Sequence, residues 1–580
     1  VRHAVPAILH GKFDTDALML AAALGAGILG EWAEGAFLLF LFGLGHAGEH
    51  YALDRARDAI NALGELMPKT ARVRRGERIV EEPVERLTID DVVVVRPGDR
   101  IPVDGLVLQG KSAVDQSPIT GESVPVQKKP QDEVYAGTIN HEAALEVRVT
   151  QLAGDTTLSR VMEMVAEAQA QKSPTQQFAD RFSVRFVPAI LALVVVVIVV
   201  PPLVGWMPFS QSFYRAMLLL VAASPCALAI GTPAAVLSGI ARAARNGVLI
   251  KGGAHLENLG RLNAIAFDKT GTLTQGKFQV IDVISLNGVK PQEILRLAAA
   301  VEQQSSHPLA QAIIRTAQEQ NLDLPTVTRS ENLAGRGVRS LVEGQPVFCG
   351  SLKLVDDPSV ITADESVQKK VARLESDGLT TMVVSRSNLP LGLIALADTP
   401  RPLVNRVLIR LQELGVQHLI MLTGDNPSVA QQIGREVGVT DVQAALLPQD
   451  KLEAISRLQK ELGAVAMVGD GVNDAPALAA SSVGIAMGGA GTAVALETAD
   501  VALMADDLSQ LPFAVGLSRA SRSIIRQNLA ISLGVIFVLI LTSVFGLAQL
   551  GWTVIAHEGS TVLVALNALR LLGYRLPNEV

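Results

Sequence analysis

Six long apolar stretches divide this chain, near residues 16–31, 34–53, 184–204, 213–235, 526–548 and 551–572. A helix needs roughly 20 apolar residues to cross a hydrocarbon layer, and the third stretch, VPAILALVVVVIVVPPLV, is the clearest match. Between them lie two large polar segments, about 54–183 and 236–525, in which the pattern changes period. The first holds short β-like runs punctuated by Gly and Pro, as in DDVVVVRPGDRIPVDGLVL, and predicts a small, mostly-β domain. The second alternates apolar strands with helical stretches, as in NAIAFDKTG, QHLIMLTGDN and AVAMVGDGVNDAP. Acidic residues stand at the ends of these strands, which is where a doubly wound parallel sheet binds its ligands. A stretch of about 276–394, with strand and helix signals of its own, reads as an inserted domain.

Charge orients the helices. Arg55, Arg57, Arg181, Arg185, Arg242, Arg245, Lys251, Arg519 and Arg522 flank one set of ends, while the short connections around 32–33, 205–212 and 549–550 carry no Lys or Arg. That asymmetry places both polar segments in the cytoplasm. Composition agrees: 49% of residues are hydrophobic, 18% are charged, and the mean hydropathy is +0.33. A net charge of −7 without a basic stripe excludes a nucleic-acid binder. The two cysteines, Cys226 and Cys349, are far apart and form neither a disulfide framework nor a CxxC metal module. A start at Val1 suggests a native chain longer at this end.

Chemistry gathers at the strand ends. Asp268, closing the apolar strand of AFDKTGTLT, can attack a phosphoryl group and form an acyl phosphate. Thr423, Gly424 and Asp425 follow in TGDN, and Asp470, Asn473 and Asp474 in GDGVNDAPAL. Carboxylates converging on one sheet edge repel each other unless a hard cation such as magnesium lies between them. Lys451 can neutralise charge on a transferred phosphoryl group.

DKTGTLT, TGES at 120–123, TGDN and GDGVNDAPAL, in this order over essentially the whole chain, resemble the P-type ATPases. The resemblance implies a polytopic α-helical membrane protein with cytoplasmic domains: a haloacid-dehalogenase-like α/β phosphorylation domain, an inserted α+β nucleotide domain and a mostly-β actuator domain. The divisions expected are 1–65 for the first two helices, 66–175 for the actuator, 176–250 for helices three and four, and 516–580 for the last two. The phosphorylation domain takes 251–275 and 395–515, and the nucleotide domain 276–394. The family further implies ATP and Mg2+ as cofactors, with Asp268 phosphorylated and Glu122 of TGES directing water onto the phosphoaspartate. Asp268, the Thr270 carbonyl and Asp470 would hold magnesium. Lys451, Thr423, Gly424, Asp425, Asn473 and Asp474 would support the phosphate.

The inserted domain narrows the resemblance to the heavy-metal branch, through EQQSSHPLAQAI and NLAGRGV. There Glu302 and His307 would contact adenine, and Gly335 and Gly337 would let the backbone approach the nucleotide. Two further helices usually precede the six in that branch, and RHAVPAILHGKFDTDALM resembles the end of the second.

VAASPCALAI breaks the fourth apolar stretch with Pro225, beside Ser224 and Cys226, some 11–13 residues from its outer end. His557 and Glu558 approach similar depth in the last stretch, with Thr561 on the same helical face as His557. Thiolate, imidazole and carboxylate at one depth suit a borderline divalent metal, and a proline that unwinds the helix frees carbonyls to line the site. Ser-Pro-Cys with His-Glu-Gly-Ser-Thr resembles the cobalt/zinc-type subgroup, whereas copper pumps carry Cys-Pro-Cys. Cobalt, zinc, cadmium, iron and nickel all stay open. Glu34 matches an acidic position near the extracytoplasmic start of a helix in related metal pumps, where it would receive the departing ion. The implied partners are a divalent metal ion and lipid, with no nucleic acid and no obligate protein partner evident, in a bacterial inner membrane. The competing readings are a copper-type or potassium-type pump, and a membrane-anchored phosphatase or metal sensor that moves no ion.

Overall fold

The computed structural model describes residues 15–64, 67–117, 125–305, 307–333, 337–351, 365–376, 379–425, 427–470, 474–488, 498–504 and 506–576. They fall into two compact units, one formed by residues 1–261, 488–491 and 500–580, the other by 262–487 and 492–499.

In the first unit the apolar stretches are helices: α1 (Thr15–Ile28), α2 (Trp32–Gly64), α3 (Pro174–Leu203), α4 (Phe209–Ala222) and α5 (Cys226–Ala244). Two further helices, Gln510–Val544 and Leu550–Leu569, complete the bundle. Among the described residues, three spans are long and apolar enough to cross a membrane: 174–203, 209–244 and 510–544. The sequence pattern predicts six. The 20 residues of Leu550–Leu569 are long enough, but the polar run His557–Thr561 interrupts their apolar surface. The inward half of α2 is likewise diluted by Asp54, Arg55, Arg57 and Asp58.

Apolar faces hold this bundle together: Leu18, Met19, Leu38, Ile190, Leu219, Cys226, Leu550 and Val554 belong to one buried cluster. Polar ties add direction. Ser212 Oγ donates to the Val197 carbonyl at 2.7 Å. Asn528 Nδ2 donates to the carbonyls of Gly231 at 3.0 Å and Val564 at 3.1 Å, so one amide joins three helices. The same unit carries a six-stranded antiparallel sheet within residues 70–149 over a valine-rich core, with a three-stranded sheet beside it. Buried Asp104 pins that domain by accepting from Thr157 N, Thr157 Oγ1 and Ala136 N at 2.7–2.8 Å.

The second unit is built on five parallel strands: β1 (Ala264–Asp268), β2 (His418–Leu422), β3 (Asp441–Gln443), β4 (Val465–Gly469) and β5 (Val483–Met487), in the spatial order β5-β4-β1-β2-β3. The four inner strands are near-continuous apolar runs, as strands covered on both faces must be, while the edge strand β3 is polar and partly exposed. A six-stranded antiparallel sheet begins with Thr274–Ser285 and ends with Leu389–Pro400, the two strands that lead out of and back to the parallel sheet. Helices α6 (Pro291–Glu302) and α7 (Pro308–Glu319) pack on it through Leu297, Val301 and Ile313.

Candidate phosphorylation and metal-transport sites

Central strand β1 ends on Asp268, in register with Leu422 of β2 and flanked on its other side by β4. The chain turns at once through Gly271, whose φ of +76° is left-handed, so the loop folds back without steric penalty. The turn is tied from outside. Thr274 Oγ1 bonds the Lys269 carbonyl at 2.9 Å and Asp398 Oδ2 at 2.5 Å, and Arg401 donates to the Gly271 carbonyl at 2.6 Å.

Around Asp268 the charges interlock. The Lys451 ammonium, on a helix that starts at Pro448, bonds to Asp268 Oδ1 and lies 2.7 Å from Asp474 Oδ1. Lys269 pairs with Asp425 at 2.5 Å. Thr423 is buried, and its hydroxyl accepts from the Asp425 amide at 3.1 Å, which fixes the TGD turn. Thus Asp268, Asp425, Asp474 and Lys451, all singled out from the sequence, meet at one sheet edge. Thr270 is exposed on the loop, and Asp470 closes the end of β4. Asn473 and Glu122 lie outside the described residues.

Burial, and then the negative charge of Asp474, push the Asp268 carboxyl up to about 6, against the pull of Lys451. Asp470 adds to the rise. Burial alone would lower Lys451, but Asp268 and Asp474 outweigh it and hold the ammonium above its ordinary value. Among the described residues, the ammonium groups of Lys451 and Lys269 stand among the carboxylates of Asp268, Asp425, Asp474 and Asp470, a setting that fits a hard divalent cation held by oxygen ligands.

In the inserted domain, His307 caps α7, its Nδ1 accepting from the Leu309 amide at 3.3 Å while the ring stays exposed. Glu302, at the end of α6, is buried, and the Cys349 thiol and Ser305 hydroxyl bond its carboxyl. Burial raises that carboxyl above the usual range. Gly337 has φ +145°, and a methyl group there would overlap the Cys349 carbonyl, so no other residue fits. Gly335 is outside the described residues.

In the bundle, the predicted break is real. Helix α4 ends at Ala222, α5 begins at Cys226, and Pro225 sits between them at φ −88° and ψ 33°. Ser224 Oγ lies 3.2 Å from Cys226 Sγ. On the last helix, His557, Glu558 and Thr561 are buried. Neither ring nitrogen of His557 has a hydrogen-bond partner among the described residues. The hydroxyls of Ser560 and Thr561 turn back onto the His557 carbonyl, at 2.7 and 3.3 Å. Cys226 shares its apolar cluster with Val554, one turn before His557. Glu558 lies against α2, where a methyl group on Gly45 would overlap its Oε2. Among the described residues, no three His, Cys, Asp or Glu side chains form a ready-made metal cage. Toward the outer end, Tyr214 OH donates to Glu34 Oε2 at 3.3 Å and accepts from the Leu550 amide at 3.2 Å.

Four residues escaped the sequence reading. Asp398 and Arg401 brace the phosphorylation loop, and the LADTPR stretch that carries them was a detectable signal. Asn528 is a single polar residue in an apolar helix, and Tyr214 looks like any aromatic near a membrane surface.

An aspartate at the end of a central parallel strand, clamped by a lysine and facing further carboxylates, with an antiparallel domain inserted after the strand, defines a P-type ATPase. Two family patterns match: haloacid dehalogenase-like hydrolase over residues 262–481 and P-type ATPase actuator domain over 65–166. A probable cadmium-transporting ATPase of Staphylococcus aureus is 45% identical over 568 residues, covering 97% of this chain and 71% of that one. The zinc/cadmium/lead-transporting P-type ATPase of Escherichia coli (strain K12) is 43% identical, covering 99% and 77%. The crystal structure of a zinc-transporting PIB-type ATPase in the E2.Pi state is similar, with TM-score 0.65, 42% identity, and 98% and 92% of the chains covered. The chain belongs to the heavy-metal-transporting PIB branch of the P-type ATPases. It is an ATP-hydrolysing translocase that exports divalent heavy-metal cations through an aspartyl phosphate.

Proposed function

We propose that Asp268 is the phosphorylated residue and that the exported ion is a borderline divalent cation of the zinc, cadmium or cobalt kind, bound around Cys226, His557 and Glu558. The observation that carries the first half is the clamp of Lys451 between Asp268 and Asp474 at the edge of the parallel sheet. A carboxylate oxygen of Asp268 attacks the γ-phosphorus of ATP, the bond to the bridging oxygen breaks, and ADP leaves. Lys451 and the Thr423–Asp425 turn, with Asn473 and Asp474, hold the transferred group by charge and hydrogen bonds. Asp268, the Thr270 carbonyl and Asp470 would hold a magnesium ion, which would supply positive charge against the transferred group. Glu122 then orients the water that cleaves the acyl phosphate, releasing inorganic phosphate and restoring the carboxylate. ATP is held by the inserted domain, with the His307 ring at the adenine and Gly335 and Gly337 allowing close backbone approach. Glu302 supports that pocket from beneath, in keeping with its burial.

For the cargo, one thiolate, one imidazole and one carboxylate form a mixed ligand set of borderline softness. Ser224 in place of a first cysteine removes a soft ligand and disfavours copper(I). Ser224 and Thr561 complete the pocket, and Glu34 receives the ion on the far side. The bacterial relatives support placement in a bacterial inner membrane. The test is ATP hydrolysis by the purified, relipidated chain across cobalt, zinc, cadmium, nickel, iron(II) and copper(I). Stimulation by zinc, cadmium or cobalt that disappears in Cys226→Ala and in Asp268→Asn is expected. Stimulation by copper(I) alone would overturn the cargo assignment, and full activity without metal would point to an uncoupled phosphatase.

A further inference from the structure

His46 and His50 stand one turn apart on α2, with their Nε2 atoms 3.2 Å from each other. The rings meet edge to face with centroids 4.6 Å apart, and Phe42, one turn earlier, stacks on His46 with centroids 6.1 Å apart. Both histidines are exposed. Two imidazole nitrogens that share one tetrahedral zinc-like ion at about 2.0–2.1 Å stand about 3.3 Å apart. The observed separation is therefore the bite of a chelate. Histidines at i and i+4 on one helix face are also the spacing with which helices hold zinc. In the metal-free pair, one Nε2–H donates to the other ring. When an ion binds, both rings carry their proton on Nδ1 and turn both Nε2 lone pairs to the metal, with no proton lost.

Position gives the pair a purpose. Gly45, the residue before His46, is the one against which the Glu558 carboxylate rests. His50 lies one turn further toward Asp54, Arg55 and Arg57, the cytoplasmic end by the distribution of positive charge. Along the helix axis from that end, His50 and His46 precede Gly45, the level at which Glu558 meets α2, although they lie on the exposed face.

We propose that His46 and His50 form a second binding site for a borderline divalent cation, a way station that hands the ion to Glu558 and Cys226. The proposal rests on the metal-transport reading given above. Two protein ligands leave the other coordination positions to water, so the ion is held less tightly than by a closed cage and can be passed on.

The test is anaerobic titration of the full chain in lipid nanodiscs with Co2+, counting bound equivalents and recording the visible spectrum. The unmodified chain is expected to bind two equivalents, one of them giving a thiolate-to-cobalt charge-transfer band. H46A/H50A is expected to lose one equivalent and keep the band, and H46Q/H50Q to do the same. C226A/H557A is expected to lose the band and keep the other equivalent. In cobalt-stimulated ATP hydrolysis, H46A/H50A should raise KM about tenfold at unchanged kcat, the signature of a lost binding step outside the chemistry. Equal stoichiometry in the unmodified chain and in both histidine variants would overturn the way station. Persistence of the band in C226A/H557A would instead overturn the transport-site reading.

Discussion

Lys451 is bonded at once to Asp268 and to Asp474, two buried carboxylates that would otherwise repel each other across the end of the parallel sheet. Removing its charge leaves both uncompensated. Lys451→Met is therefore expected to cut phosphoenzyme formation at least about a hundredfold, as loss of a preorganised charge at a reacting group does. Asp268→Asn should abolish it. Acid-quenched labelling with γ-labelled ATP reads both, and a labelled Asp268→Asn protein would place the acyl phosphate on another residue.

A pH dependence follows from the Asp268 carboxyl, raised to about 6 chiefly by burial and by the charge of Asp474. Because the folded value exceeds the ordinary value of about 3.9, the acid form is the one the native fold favours. Its contribution to stability is present below about pH 3.9 and fades as pH rises through about 6. Nucleophilic attack needs the carboxylate, so the rate of phosphorylation should fall as pH drops through about 6. Lys451 lowers the Asp268 value, and Lys451→Gln should move this acid limb to higher pH in whatever activity survives. An unmoved limb would assign it to a different group.

The contact between Gly45 and Glu558 predicts a steric effect without any change of charge. Gly45→Ala should cost about 1–3 kcal/mol of stability by overpacking, and should displace the Glu558 carboxylate. Zinc-stimulated ATP hydrolysis would then show a raised KM. Unchanged KM and melting temperature would mean that α2 and the last helix part easily at this level.

Tyr214 joins Glu34 on α2 to the first amide of the last helix. Tyr214→Phe removes both bonds and should lower stability by about 1 kcal/mol, read by thermal unfolding in lipid. Metal-dependent ATP hydrolysis at saturating metal should slow as well, because Glu34 loses its anchor. Asn528→Leu should cost more, about 1–3 kcal/mol, since it removes both hydrogen bonds by which one buried amide ties its helix to the Gly231 and Val564 carbonyls.

Much of this arrangement was legible from the chain alone. Four buried apolar residues running into Asp-Lys-Thr-Gly announce both the strand's place in the sheet and its chemistry, because the strand and the turn obey different residue preferences. The parting of α4 from α5 was visible in Pro225, whose effect on a helix is local and needs no partner. Asp398 was harder. It lies near the end of a 12-residue strand, and only its pairing with Thr274 across the fold gives it a role. The inward bond of Glu302 to Cys349 was hidden in the same way, because it depends on a helix packing onto a strand of the antiparallel sheet. Residues that carry a motif of their own, such as Asp268 and Asp474, are readable even when their partners are distant. Asp398, whose role rests on tertiary pairing, was not read.

The joint at Pro225 has a mechanical meaning. Two stiff rods that share a residue without an amide hydrogen can alter their mutual angle cheaply, because Pro225 donates no backbone hydrogen bond back to the preceding helix that must stretch. Points far along each rod then sweep wide arcs, while Ser224 and Cys226, at the hinge itself, hardly translate. An ion bound at this joint, as proposed above, would not need to be carried from one side to the other. It would stay at the fulcrum while the protein around it exchanged the direction from which it can be reached.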